Sequence, residues 1–327
     1  MPPNIINSVN KSSNSQITMT NTPIIFMGTP EFAVTSLKRL LDKGYNIKAV
    51  VTTPDKPAGR GKQIQFSDVK KFALENNLPI LQPEKLRSPE FLSQLKEINA
   101  DMFVVVAFRM LPKDVWAMPR LGTINLHAAL LPDYRGAAPI NHAIINGETE
   151  TGITTFYIDE EIDTGMVIMQ EKCPILPEDN IGTLYDKLME IGAEAVCKTV
   201  DIIAEGNVKA IEQDSIRTEG LHPAPKITKE FCQINWNNKA VDIHNLIRGL
   251  SPYPAAWCYI KENVSIKIFQ SSYVTEKHEL APGTFVSDNK TYIKVATHDG
   301  FLFIHDLQMQ GKKRMLVKDF LNGYKIV

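Results

Sequence analysis

The sequence MFVVVA at Met102–Ala107, followed by TINLH at Thr123–His127, contains two short runs of apolar and β-branched residues. Runs of this kind predict strands that are buried on both faces of a sheet. The apolar stretches at residues 24–27, 47–53 and 79–81 predict three further strands upstream. Segments with helical periodicity separate these strands, so the order is β-α-β-α-β-α-β. We therefore predict an α/β fold with an open, mostly parallel sheet.

Start signals for helices support this order. Ser67, and Ser88 followed by Pro89, are typical residues of a helix N-terminus. Further along, the pattern predicts two strands and a long helix, at residues 153–159, 166–175 and 181–205.

A chain of 327 residues exceeds the usual size of a single hydrophobic core and therefore indicates about two domains. Residues 206–230 contain several Gly and Pro residues with weak periodicity, which indicates a linker. Beyond them the pattern changes to period two, with turn signals, which predicts a small antiparallel β domain. We thus expect a disordered extension at 1–22, an α/β domain at 23–205, the linker at 206–230 and the β domain at 231–327.

Composition narrows the classes of function. Residues 226–327 carry 14 Lys and Arg against 9 Asp and Glu, whereas the whole chain has a net charge of -1. The basic C-terminal part is therefore better suited than the rest of the chain to binding a polyanion. The four cysteines lack zinc-binding spacing and indicate a reducing cytosol. No uncharged apolar run reaches the roughly 18 residues of a membrane span. Together with the cysteines this predicts a cytoplasmic protein, and the absence of a zinc-binding spacing predicts that it holds no metal.

Three segments at predicted strand ends could carry chemistry. Asn125 and His127 lie on one face of their strand. An amide and an imidazole there could stabilise an oxyanion or hold a nucleophile, or could only satisfy the backbone of the adjacent loop. The Pro- and Gly-rich residues 130–139 could hold a planar ligand, or could be a structural crossover. The acidic residues 159–163 could provide a carboxylate with a raised pKa, a magnesium ligand, or only an acidic surface turn.

A basic loop follows the second strand. Residues 54–61 contain Lys56 and Arg60 with two glycines, and Lys62 comes next. Such a loop suits a phosphate backbone or an active-site lid, although a solvated surface loop is equally consistent with the composition.

Taken together, these segments resemble the methionyl-tRNA formyltransferases. The matching motifs are, in chain order, FMGTPEF at 26–32, PDKPAGRGK at 54–62, NLH at 125–127, LLP at 130–132, RGAAPI at 135–140, DTG at 163–165 and INW at 234–236. The resemblance extends from about residue 24 to the C-terminus. The NLH, LLP and DTG motifs are shared by all folate-dependent formyltransferases, whereas the PAGRG loop and the β tail look specific to the tRNA enzymes.

The resemblance implies a Rossmann-like catalytic domain and an OB-fold-like C-terminal domain. It also implies transfer of a formyl group from 10-formyltetrahydrofolate to the α-amine of methionyl-initiator tRNA, by an enzyme that we expect to be a monomer. The implied catalytic residues are Asn125, His127 and Asp163. The implied folate-binding residues are Ala129, Leu130, Leu131 and Pro132, with Phe108 and Arg109 as a wall of the pterin pocket. The residues expected to bind tRNA are Lys56, Arg60, Lys62, Lys226 and Lys229.

This sequence departs from the family pattern at three places. Ala128-Ala129 replaces the usual Gly-Ser, the segment Phe108-Arg109-Met110 is one residue shorter and lacks a glycine, and Glu161 replaces a glycine. Each change affects the expected folate pocket or the acidic loop.

Three other functions compete with this interpretation. A folate-dependent formyltransferase for a sugar nucleotide or glycinamide ribonucleotide would need neither the basic loop nor the basic tail. A non-catalytic RNA-binding relative would have no reason to retain Asn125, His127 and Asp163 together. A nicotinamide dehydrogenase would carry a glycine fingerprint that is missing here.

Overall fold

The computed structural model describes residues 21–58 and 63–326. Residues 1–20 of the expected extension, and the basic residues Arg60 and Lys62, lie outside the described part. The N-terminal part contains, in chain order, β1 Ile24–Gly28, α1 Glu31–Asp42, β2 Ile47–Val51, β3 Lys56–Ala58, β4 Gln63–Gln65, α2 Asp68–Glu75, β5 Ile80–Leu81, α3 Pro89–Ile98, β6 Met102–Val106, α4 Lys113–Trp116, β7 Thr123–His127, α5 Pro139–Ile145, β8 Glu150–Tyr157, β9 Val167–Pro174 and α6 Ile181–Ala204.

Seven of these strands form one sheet in the order β5-β2-β1-β6-β7-β8-β9. The first five strands are parallel, and β8 and β9 join them antiparallel. Every residue of β1 and β6 is buried, and helices cover both faces. The predicted Rossmann-like, mostly parallel sheet is therefore confirmed.

Local capping explains where two of the helices begin. The Ser67 hydroxyl accepts a hydrogen bond from the Lys70 amide at 3.0 Å, and the Ser88 hydroxyl accepts one from the Phe91 amide at 3.3 Å. Each bond satisfies an amide that has no partner within its helix.

The sheet has its topological switch point between β1 and β6. The chain runs from β1 to β2 on one side and returns to β6 on the other side. In such sheets the loops at the carboxyl ends of these two strands separate and leave a crevice for a ligand.

The C-terminal part has its own apolar core around a second sheet. After a 3₁₀ turn at Gln213–Ser215, its elements are α7 Ala240–Leu250, β10 Ala256–Lys261, β11 Val264–Thr275, β12 Phe285–Ser287, β13 Ile293–Ala296, β14 Gly300–Met309, β15 Met315–Leu316 and α8 Val317–Gly323. The strands pair antiparallel in the order β10-β11-β14-β13-β12, with β15 also on β14. Irregular pairing between Ile268 and Ser271 bends β11. This agrees with the OB-fold-like β domain that the sequence predicts.

The two parts of the chain pack through α5 and α7. The side-chain amide of Asn141 donates to the carbonyl of Gly249 at 2.8 Å. A β-carbon at Gly249 would lie 2.6 Å from the Cγ1 of Ile145, so only glycine allows this approach. Arg248 also donates to the carbonyls of Leu176 and Asp179.

Within the described residues, no helix is both long and apolar enough to cross a bilayer. The four cysteines are buried and are not joined in disulfides.

Candidate active site

A cavity of about 960 Å³ opens at the carboxyl ends of β1, β6 and β7. Pro30 and Phe32 follow β1 on one side of it, and Ala107 and Phe108 follow β6. The C-terminal part contributes Tyr253 and Pro254, and the segment before it contributes Lys226 and Ile227. The cavity thus occupies the switch point of the sheet and is closed on one side by the second domain.

Asn125 and His127 both line this cavity from β7. The alternation of side chains along the strand brings them to the same side, as the sequence predicts. Among the described residues, no group hydrogen-bonds the amide of Asn125, so this amide can donate to a ligand.

The ring of His127 is buried and oriented by backbone. Its Nε2 lies 2.8 Å from the carbonyl oxygen of Tyr134, which can only accept, so Nε2 carries the hydrogen. Its Nδ1 faces the carboxylate of Asp163, with 3.7 Å between Nδ1 and Oδ2. Any proton exchanged by this ring must therefore pass through Nδ1.

Asp163 reaches His127 from the loop between β8 and β9. Its side chain is 13% exposed, and its Oδ2 accepts a hydrogen bond from the Gly136 amide at 2.9 Å. A β-carbon at Gly136, whose φ is +129°, would lie 2.4 Å from the carbonyl oxygen of Ala224, so this contact requires glycine. The RGAAPI and DTG motifs thus meet at one carboxylate.

Two other acidic residues of the loop have partners of their own, whereas Glu161 lines the cavity with Asp163. Asp159 accepts from the Thr164 hydroxyl at 2.7 Å, and Glu160 pairs with Lys113. The ammonium of Lys113 lowers the pKa of Glu160. The expectation that crowded carboxylates raise one another's pKa is therefore wrong for Glu160, because a cation neutralises it. Within the described ranges, no group of His, Cys, Asp and Glu could hold a metal ion.

The residues expected to bind folate fall into two groups. Phe108 and Arg109 line the cavity. The guanidinium of Arg109 donates to the carbonyls of Pro83 and Glu84, at 2.8 and 3.2 Å, and burial lowers its pKa. This wall is therefore fixed to the loop that follows β5.

The second group does not reach the cavity. Ala129 and Leu131 are buried, and the carbonyl of Ala129 accepts from the Thr154 hydroxyl at 2.6 Å. The carbonyl of Leu131 accepts from the Gln170 amide at 2.7 Å. Neither these two residues nor Leu130 and Pro132 are among those lining the cavity. Their role in folate binding stays a prediction.

The described residues expected to bind tRNA are dispersed. Lys56 is exposed in β3, and Lys226 lines the cavity. Lys229 is exposed, with its ammonium 5.8 Å from the ring of Trp257.

One buried polar residue beside the site has no motif to reveal it. Gln213 lies in the segment expected to be a linker, yet its amide bonds to the carbonyls of Asp163 and Gly165. A lone glutamine in a weakly periodic segment carries no sequence signal. The role of Tyr134 likewise cannot be predicted from the sequence, because its backbone carbonyl orients His127 and any residue type has such a carbonyl.

Sequence comparison agrees with this architecture. The model of the family described as "Formyl transferase" matches residues 22–200, and that described as "Formyl transferase, C-terminal domain" matches residues 226–325. Both matches, together with the sheet, are those of a formyl transferase.

Curated relatives define the family more narrowly. The methionyl-tRNA formyltransferase of Bacteroides thetaiotaomicron is 54% identical over 308 residues, which is 93% of this chain and 96% of the relative. That of Flavobacterium johnsoniae is 52% identical over 304 residues, covering 92% and 95%. This chain belongs to the methionyl-tRNA formyltransferase family.

Solved structures with the same fold include other formyltransferases. WlaRD, a sugar 3N-formyl transferase solved in the presence of dTDP and 5-N-formyl-THF, is 25% identical with a TM-score of 0.64, covering 90% of this chain and 99% of that one. HypX from Aquifex aeolicus, in complex with tetrahydrofolic acid, gives a TM-score of 0.62 at 17% identity, over 93% of this chain and 48% of that one. The second similarity concerns the fold alone.

Proposed function

We propose that this protein transfers the formyl group of 10-formyltetrahydrofolate to the α-amine of methionyl-initiator tRNA, for the initiation of translation. The observation that carries the proposal is the convergence of Asn125, His127 and Asp163 on one cavity at the switch point of the sheet. The high identity to enzymes named for this reaction, over almost the whole chain, supports it.

The chemistry requires stabilisation of an oxyanion. The amine nitrogen attacks the formyl carbon, and the carbonyl oxygen becomes negative in the tetrahedral intermediate. The Asn125 amide and a protonated Nδ1 of His127 can both donate hydrogen bonds to that oxygen. Collapse of the intermediate then breaks the bond between the formyl carbon and N10 of the folate.

One proton must leave the amine and one must reach the folate nitrogen. An α-amine ordinarily has a pKa of about 8, so much of it is protonated at neutral pH. Only the neutral amine attacks, after its first proton has gone to solvent. His127 can exchange a proton only through Nδ1, since Nε2–H is held by Tyr134, so the neutral ring accepts at Nδ1 the proton that the attacking nitrogen loses. The resulting Nδ1–H donates to the oxyanion and then passes its proton to N10 of the folate as the bond from the formyl carbon to N10 breaks. Asp163 then supports the positive charge of the imidazolium from 3.7 Å, and its Oδ2 already accepts from Gly136. We therefore assign Asp163 to orienting His127 rather than to direct proton abstraction.

The folate and the tRNA are assigned to different parts of the site. Phe108 and the fixed Arg109 fit a wall for the pterin, in a cavity with room for a planar ligand. Lys226, together with the basic C-terminal domain, suits the tRNA phosphates. In this proposal residues 23–205 carry out catalysis, residues 231–327 bind tRNA, and the enzyme acts as a monomer in the cytoplasm.

A direct transfer assay tests the proposal. Purified protein is incubated with 10-formyltetrahydrofolate labelled in the formyl group, and with one acceptor at a time. The acceptors are methionyl-initiator tRNA, methionyl-elongator tRNA, an amino-sugar nucleotide and glycinamide ribonucleotide. Label transferred chiefly to the initiator tRNA is the expected result. Equal or faster transfer to a small amine would overturn the proposed substrate.

A further inference from the structure

The side chain of Gln213 is buried, and its amide both donates and accepts hydrogen bonds. Its Nε2 donates to the carbonyl oxygens of Asp163 and Gly165, at 2.9 and 2.8 Å. Its Oε1 accepts from Nε and Nη2 of Arg135, at 2.9 and 2.6 Å. The residue itself is 2% exposed. One amide therefore joins two loops that are distant in sequence.

These two loops are the ones that hold the Asp163 carboxylate. The first carries Asp163 itself, in a left-handed backbone conformation with φ of +58°. The second carries Arg135 and then Gly136, whose amide donates to the carboxylate. A non-glycine residue in the left-handed region persists only where its surroundings fix it. The bonds from Gln213 to the carbonyls of Asp163 and Gly165 fix that backbone on both sides of Thr164.

The attachment of the segment does not itself require the Gln213 amide. Ile211 exchanges two backbone hydrogen bonds with Val167, both 2.8 Å long. Ala224 makes further backbone bonds with Arg135 and Ala138. Because the backbone already anchors residues 206–230 to the catalytic domain, the buried amide serves the loop geometry beyond that anchoring.

We propose that Gln213 is a positioning residue that holds the Asp163 carboxylate opposite Nδ1 of His127, so that the segment before the second domain forms part of the active site. The proposal rests on the proposed function for the choice of substrates in its test. The charged side chain that bonds to Gln213 is Arg135, whereas Asp163 meets Gln213 through its backbone carbonyl.

The first test removes the amide while keeping the volume. Gln213→Met should lower kcat by up to about a hundredfold, because a displaced carboxylate no longer supports the imidazolium. KM for both substrates should change little, and the acidic limb of the pH–rate profile should move. The matched control is Thr199→Val. It removes a buried hydroxyl that bonds Thr155 and the Ala195 carbonyl in the same domain, away from the cavity.

The second test separates the two sides of the amide. Gln213→Glu retains an oxygen for Arg135 but places a second oxygen against the two carbonyls. We expect it to lose kcat as Gln213→Met does, although it keeps an acceptor for Arg135. Near-normal kcat in Gln213→Glu would show that donation to the carbonyls is irrelevant and would overturn the proposal.

Stability and structure complete the test. Melting temperatures should fall in both Gln213→Met and Thr199→Val, whereas only the first should lose kcat. If both variants lost the same fraction of kcat for each degree by which the melting temperature falls, Gln213 would be merely structural.

A crystal structure of Gln213→Met should show the Asp163 carboxylate away from the Gly136 amide. An unmoved carboxylate refutes the proposal. If the wild-type protein fails to formylate initiator tRNA, the proposed function fails, and the crystal structure still decides the role of Gln213.

Discussion

The imidazole of His127 has one nitrogen available for chemistry, because Tyr134 occupies the other. His127→Ala should therefore remove an oxyanion donor and a site of proton exchange together. Loss of one such donor costs about 2.7–4 kcal/mol, so kcat should fall on the order of a hundred- to a thousandfold. Single-turnover formylation measures this loss in the rate of the chemical step directly. Asn125→Ala should act similarly, and the double variant should lose less than the product of the two effects.

The control for this pair is His298→Ala, which removes an exposed histidine of the second domain. It should leave kcat unchanged. Near-normal turnover in His127→Ala would exclude His127 from the mechanism, whatever the folate affinity of that variant.

Asp163 and Glu160 give a second comparison between neighbouring carboxylates. Asp163 is 13% exposed beside His127, whereas the Glu160 side chain is 68% exposed and pairs with Lys113. Because Lys113 lowers its pKa, Glu160 stays ionised and is unsuited to taking a proton near neutral pH. Asp163→Asn should abolish most of kcat and alter the acidic limb of the pH–rate profile. Glu160→Gln should be mild, and the reverse order of sensitivity would contradict this assignment.

Secondary-structure elements were predictable where their patterns were strong. The buried runs at β1, β6 and β7 and the capped starts of α2 and α3 follow directly from the sequence. The strand β10 has no clear sequence pattern, because Trp257 and Tyr259, at its more exposed positions, hide the alternation of its buried residues. Nor does apolar periodicity reveal strand direction, so the antiparallel pairing of β8 and β9 emerges only in the structure.

The site was predictable to the extent that its residues share a strand or a motif. Asn125 and His127 fall on one face by alternation alone. Gln213 could not be predicted, because it acts on backbone atoms 48 and 50 positions away. The placement of Leu131 away from the cavity depends on Gln170 and Thr154, which belong to other strands.

Helix α7 carries a histidine whose titration should be visible in stability. Burial, followed by the charges of Arg248 and His305, lowers the pKa of His244 to about 4. The unfolded chain, with a histidine pKa of about 6.5, binds the proton first, so stability is lost as the pH falls from about 6.5 towards 4. After allowance for partial exposure, we expect a loss of about 1–2 kcal/mol.

Urea unfolding at pH 7 and pH 5 measures this loss. His244→Gln can still bond Ser271, which lies 3.0 Å from Nδ1 in the wild type, but it cannot titrate. Its midpoint should fall less between the two pH values than the wild-type midpoint does. His298→Gln, at an exposed position, is the control and should follow the wild type. An unchanged pH effect in His244→Gln would remove His244 as its source.

At the scale of the whole molecule, the two domains are joined too closely for truncation to be informative. Ile145 of α5 packs against the core of the C-terminal domain, and Asn141 bonds to α7. Deleting the second domain would expose this apolar face and remove Tyr253 and Pro254 from the cavity. Loss of activity in a truncated chain would thus not distinguish tRNA binding from damage to the catalytic domain. Substitution of individual charges avoids this ambiguity.

Lys226 lines the cavity and Lys229 lies beside Trp257 of the second domain, and both are exposed, so their contribution to tRNA binding should depend on salt. Each duplex phosphate contact releases counterions and adds about 0.9 to the log–log slope of affinity against salt. The double variant Lys226→Gln with Lys229→Gln should flatten the salt dependence of kcat/KM for initiator tRNA by up to that amount per lysine. The control double variant is Lys43→Gln with Lys198→Gln. It removes the same charge, and Lys198 lies roughly 25 Å along α6 from Ile181 at the cavity. Equal flattening in both would mean that the tRNA senses only net charge, whereas flattening confined to the first places the acceptor arm across the domain junction.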